Sequence, residues 1–219
     1  MHNQKKTNVR KLVLIAMLAA VAFIMVSFVR IPVVLFLKYE PKDVIITIGG
    51  FLVGPMVSFL VSLVVSLLEM VSISETGPIG ALMNLLSTCS FACVASLIYK
   101  RRHTLRGAVE GLLAGAVVMV GTMLLWNWLI TPLYMTGTSR SDVAAMLVPV
   151  FLPFNLLKAG LNSALTLSLY KPLVTALRKI GLVEAHPDSG KGSKAGVYIF
   201  AAALLITCIL LLLVFQGKL

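Results

Sequence analysis

Six long apolar runs constrain this chain more than any other feature: 12–29, 44–70, 81–99, 108–130, 144–170 and 197–215. Inside a bilayer no water is available to the backbone, so a spanning segment must satisfy its own N–H and C=O groups. A run of about 20 apolar residues therefore reads as a transmembrane helix. Composition agrees, since 59% of the 219 residues are hydrophobic and only 8 are acidic. That is too little polar surface to coat a soluble domain of this size. The chain is read as an all-α integral membrane protein, embedded in a lipid bilayer. Its net charge of +11 follows from basic loops that set orientation. No basic stripe lies on a soluble face, which argues against a nucleic-acid partner.

The second run holds Gly54-Pro55, a pair that favours a turn. Loop charge decides whether it is one helix or two. With two helices and a cytoplasmic N-terminus, Lys5, Lys6, Arg10 and Lys11 share a side with Lys100, Arg101, Arg102 and Arg106. The five basic residues of 171–194 join them, placing thirteen of the nineteen inside. One helix would put the 100–106 cluster outside, against the positive-inside bias. Two helices are therefore expected. The first, 44–53, is only about 15 Å long, so it must be tilted, extended by 41–43, or sheltered by neighbours.

Seven helices follow: a compact six-helix bundle over 1–182, a flexible cytoplasmic linker over 183–196, and an additional C-terminal transmembrane helix over 197–219. The last is aliphatic all round, as lipid-facing anchors are. The first run follows basic residues as a signal peptide does, but it is longer than a signal core and is read as a retained helix. Cys89, Cys93 and Cys208 sit in apolar runs with no further soft ligands nearby. They read as small hydrophobes, and no metal site is expected.

Polar groups inside spans cost energy and require a reason. In Pro153-Phe154-Asn155-Leu156-Leu157-Lys158, Asn155, Lys158 and Asn162 fall on one helical face. Pro149 and Pro153 loosen the start of that helix. Snorkelling of Lys158 to the headgroups is the competing reading; hydrogen bonding to a solute's carbonyls suits the lysine–amide grouping better. Asn127, between Trp126 and Trp128, ends the preceding helix at the same level and brings further donors. The tryptophans read as interfacial anchors. Asn84 suits either a helix–helix hydrogen bond or a ligand. Glu69, at a helix end, reads as solvated. Ala16 and Ala20 make a flat stripe for close helix approach, inside the bundle or to a partner. No phosphate-binding loop, H-E-x-x-H or serine elbow is present, so the chain reads as a binder and not an enzyme.

The chain resembles the substrate-binding (S) component of energy-coupling-factor (ECF) vitamin transporters, of the riboflavin-specific type. The resemblance runs over about 10–182. It rests on the opening Lys11–Ala20, on Asp43-Val44 followed by Gly54-Pro55, and on Thr76-Gly77-Pro78-Ile79-Gly80 with Asn84. Asn127 with Pro132-Leu133-Tyr134 adds to it, and Leu152–Lys158 is the most specific part. The resemblance implies a six-helix S-component bundle in the cell membrane with a flavin pocket near its outer face. Asn127, Asn155 and Lys158 would hydrogen-bond the isoalloxazine edge, and the loop 30–42 would cover the pocket. Ala16 and Ala20 would meet a membrane coupling subunit driven by two cytoplasmic ATPases. Riboflavin would be cargo, with no cofactor. The alternatives are another ECF ligand, such as flavin mononucleotide or thiamine, or a self-sufficient secondary transporter. The latter would want coupling-ion carboxylates within the spans.

Overall fold

A computed structural model describes residues 2–35, 37–73, 77–135, 137–179 and 195–217. Helix α1 (His2–Phe28) leads into a short antiparallel hairpin, β1 (Ile31–Val34) and β2 (Leu37–Tyr39). Helices α2 (Lys42–Val53), α3 (Pro55–Ser72), α4 (Gly77–Arg102) and α5 (Leu105–Tyr134) follow. Next come α6 (Arg140–Met146), a π-helical turn (Leu147–Phe151), α7 (Leu152–Lys179) and α8 (Ala195–Phe215). Six of the described helical segments are long and apolar enough to cross a membrane. The flexible-linker reading lies outside the described residues except for Ala195 and Gly196, which already belong to α8.

The second run is two helices. Gly54 adopts φ 127°, a conformation L side chains avoid, and Pro55 starts α3. The chain then folds back: Ser58 Oγ donates to the Ile46 carbonyl at 3.2 Å, and Lys42 at the start of α2 meets Glu69 near the end of α3. At about 18 Å, α2 is too short to span, and shelter is how it survives. Nine of its twelve residues are buried. A Cβ at Gly50 would fall 1.9 Å from Ser58 Oγ and 2.1 Å from Ser96 Oγ, so a side chain there would force α2, α3 and α4 apart.

Inward-facing Leu14, Leu18, Ala22 and Val26 of α1 pack with Ile46, Val57, Val61 and Val65. A second core joins α4, α5 and α7 through Phe91, Ala95, Leu112, Met119 and Leu167. A third lies beneath the hairpin, where Val33, Leu37 and Tyr39 meet Phe151, Phe154, Leu157 and Leu161. The hairpin forms in a stretch read only as a loop. Its β-branched and aromatic residues favour a half-buried pleat, and the register shifts at Pro32–Val34, where proline offers no N–H. The helix start loosened by Pro149 becomes the π-helical turn. Such turns leave backbone groups unevenly paired and gather at functional positions.

Candidate functional site

Asn84, Asn127, Asn155 and Lys158 come from three different helices, α4, α5 and α7, and line one cavity. Leu37 and Lys38 of the hairpin close it from one side, while Met83, Ser87, Met123 and Phe154 complete the wall. Its volume is about 40 Å³, room for a few water molecules. A fused-ring solute would need the hairpin or the flexible Met83 and Met123 side chains to move.

Each polar residue is held by a defined partner. Asn155 Nδ2 donates to the Phe151 carbonyl at 2.8 Å, within the π-helical turn. Asn127 Nδ2 donates to the Met123 carbonyl at 2.8 Å, and its Oδ1 accepts from Thr131 at 3.1 Å. These bonds fix both amides, and each keeps a second N–H and acceptor capacity. Lys158 does not snorkel. It is 6% exposed, donates to Ser87 Oγ at 3.1 Å and lies 3.3 Å from Asp43 Oδ2. An ammonium has three N–H donors, so one remains for the cavity.

Beneath the cavity runs a charged network that the sequence reading missed. Asp43, fully buried, accepts from Thr88 at 2.7 Å and from Asn162 at 3.2 Å. Asn162 in turn accepts from the Tyr39 hydroxyl at 3.1 Å. Burial, and then the nearby Asp43 carboxylate, push the Tyr39 phenol far above its usual range, keeping it a donor. Lys42 lies 2.7 Å from Glu40 and bonds Glu69; Glu69 also accepts from Asn84 at 2.7 Å. Arg30 Nε stands 3.1 Å from Glu40 without the alignment of a hydrogen bond, and Arg30 Nη1 donates to the Ile73 carbonyl at 2.9 Å. Three cations face three carboxylates, so the cluster is neutral, the condition under which buried charge is tolerated.

The solvated reading of Glu69 is therefore corrected: it is 1% exposed. The signal was available, because the cost of an intramembrane carboxylate applies to Glu69 as it does to Lys158. The run Glu40-Pro41-Lys42-Asp43 also packs three charges against the start of a helix too short to reach water. Asn84 serves a helix–helix bond, to Glu69, and also lines the cavity. Trp128 is 41% exposed, whereas Trp126 packs against the α4–α5–α7 core, so only Trp128 has the placement of an interfacial anchor. Ala16 and Ala20 lie on the exposed face of α1, opposite Leu14, Leu18 and Ala22, which removes packing within this bundle as their reason. Among the described residues no three His, Cys, Asp or Glu side chains gather as a metal site would require.

A membrane helical bundle with a polar cavity beneath a hairpin has the form of a solute-binding component. The family "ECF transporter, substrate-specific component" matches residues 10–170, and the chain belongs to that family. The riboflavin transporter RibU of Staphylococcus aureus is 29% identical over 191 residues, covering 82% of this chain and 100% of the relative. RibU of Streptococcus thermophilus is 30% identical over 186 residues, 80% of this chain and 87% of the relative. The riboflavin transporter FmnP of Bacillus subtilis is 28% identical over 163 residues, 69% and 85% respectively. A solved S component of a bacterial ECF transporter superposes with a TM-score of 0.65 at 29% identity, covering 78% of this chain and 99% of the other. The protein is thus a transporter component and not an enzyme.

Proposed function

We propose that this chain captures riboflavin at the outer face of the cell membrane and delivers it inward as the S component of an ATP-driven ECF importer. The observation that carries this reading is the convergence of Asn84, Asn127, Asn155 and Lys158 on one cavity beneath the hairpin, in a chain similar to riboflavin transporters. The pyrimidine edge of a flavin offers carbonyl acceptors around one imide N–H. Two fixed amides supply donors and acceptors to match, and the spare N–H of Lys158 suits a carbonyl. Phe154, Met83 and Met123 give the ring system apolar walls. Riboflavin in this reading is cargo, and no cofactor is needed. The test is titration of the purified protein with riboflavin, followed by flavin fluorescence, with flavin mononucleotide and thiamine as competitors. Saturable quenching that thiamine does not relieve supports the reading; no quenching at micromolar protein overturns it.

Orientation follows from the basic residues. The N-terminus and Lys100–Arg106 are cytoplasmic, and the hairpin and Arg140–Asp142 lie outside. Single cysteines at the exposed positions Ser141 and Arg106 should label from outside and inside respectively with an impermeant maleimide; the opposite pattern would reverse the topology. Having no phosphate-binding loop, the chain depends on a membrane coupling subunit and two ATPases for energy. Ala16 and Ala20 on the exposed face of α1 are the proposed contact with that subunit. Ala16→Trp or Ala20→Trp should leave riboflavin binding intact, release the coupling subunit in pull-downs, and stop uptake. Lost binding with the partner still attached would place the stripe elsewhere.

A further inference from the structure

Helix α8 starts at Ala195, beyond the matched family region 10–170. The Staphylococcus aureus relative is matched over its full length by 82% of this chain. What α8 adds is visible in how it packs. It runs along α7 where Gly160 has no side chain: a Cβ there would lie 2.7 Å from Cys208 Sγ. At its far end, Gln216 Nε2 donates to the Pro32 carbonyl of β1 at 2.9 Å. Leu212 and Phe215 pack into the cluster that holds Val33 and Leu37 of the hairpin. Leu37 itself lines the cavity. The helix therefore reaches from the flank of the site helix to the back of the lid.

A hairpin this short gains little from its own ladder, so its position depends on what it rests against. In a six-helix bundle that support is the bundle alone; here α8 adds an apolar shelf and a hydrogen bond to a carbonyl on the strand. With about 40 Å³ of room, the cavity takes a fused-ring solute only when the hairpin or the Met83 and Met123 side chains move, so the position of the hairpin bears directly on entry. We infer that α8 is a built-in latch for the hairpin lid, holding it over the cavity and slowing both admission and release of the bound solute. The inference rests on the proposed function only in identifying that solute as a flavin.

The test uses the full chain and two readouts. The first needs no ligand: hydrogen exchange of the backbone amides of β1 and β2, compared with those of α4 and α5. In the triple variant Leu212→Ala, Phe215→Ala, Gln216→Ala the hairpin amides should exchange about tenfold faster or more, since a segment opens more readily once its apolar shelf and its hydrogen bond are removed. Those of α4 and α5 should not change, showing an intact bundle. Gln216→Ala alone should give a smaller increase in the same amides. The second readout is riboflavin release, followed by recovery of flavin fluorescence, which should accelerate in parallel. Hairpin exchange within twofold of the parent overturns the latch, whatever happens to flavin. Faster exchange in a protein that binds no flavin supports the latch and removes the flavin reading. Faster exchange with unchanged release also overturns the inference, because the lid would then move without controlling the site.

Discussion

Helices α7 and α8 lie side by side, and both belong to segments apolar enough to span a membrane. Mean hydropathy reaches 1.6 over an 18-residue stretch within 140–170 and 2.9 over 198–215. What separates them is the inward face. In α7 that face carries Asn155, Lys158 and Asn162, all buried and all bonded. Among the described residues of α8 the buried ones are Ala201 and Cys208, and Ile206, Ile209, Leu210 and Leu211 face outward. Hydropathy finds both helices but does not tell a site helix from an accessory one. The polar residues retained at a cost do, because lipid-facing positions gain nothing from them.

The sharpest way to break this contrast is to remove the charge that α7 is built around. Asp43→Ala leaves Lys158 buried without its carboxylate, which costs about 3 to 5 kcal/mol when one partner of a buried pair is lost. Thermal unfolding in detergent should show a large fall in Tm. Asp43→Ala combined with Lys158→Met should regain most of it, since the double variant buries no lone charge. A double variant no more stable than the single would mean that the pair contributes little as a pair.

Next in size are the direct ligand contacts. Lys158→Met keeps the apolar stem and removes the donor; Asn155→Ala removes the amide. Leaving a buried ligand group unpaired costs about 1 to 3 kcal/mol, so riboflavin affinity should fall about ten- to hundredfold in each. Isothermal titration or fluorescence quenching gives the Kd. An unchanged Kd in folded Lys158→Met protein would take the lysine out of the site. The smallest effect belongs to the outer face of α8: Ile206→Ala and Leu210→Ala should shift Tm and Kd by no more than about 0.5 kcal/mol equivalents. A loss of riboflavin affinity there comparable to that in Lys158→Met would erase the distinction between the two helices.

Much of this was legible in the residues. The spans, the break at Gly54-Pro55 and the grouping of Asn155, Lys158 and Asn162 follow from backbone hydrogen-bonding demands, proline sterics and helical periodicity. Each of these is local. Gathering Asn84, Asn127, Asn155 and Lys158 around one cavity is not local, and neither is the pairing of Asp43 with Lys158 across 115 positions or of Lys42 with Glu69 across 27. Sequence alone placed Glu40, Lys42, Asp43 and Glu69 in polar ends, where any of them could have met water. Tertiary structure decided otherwise, because a twelve-residue α2 stops short of the surface and draws its charged start into the bundle. The same holds for α8: uniform apolarity determined that it would sit in lipid. Only the packing at Gly160 and the bond from Gln216 to Pro32 decided which helix it lies against and that its end reaches the lid, since lipid solvates every apolar face alike and leaves the choice of neighbour to shape and to the rare polar contact.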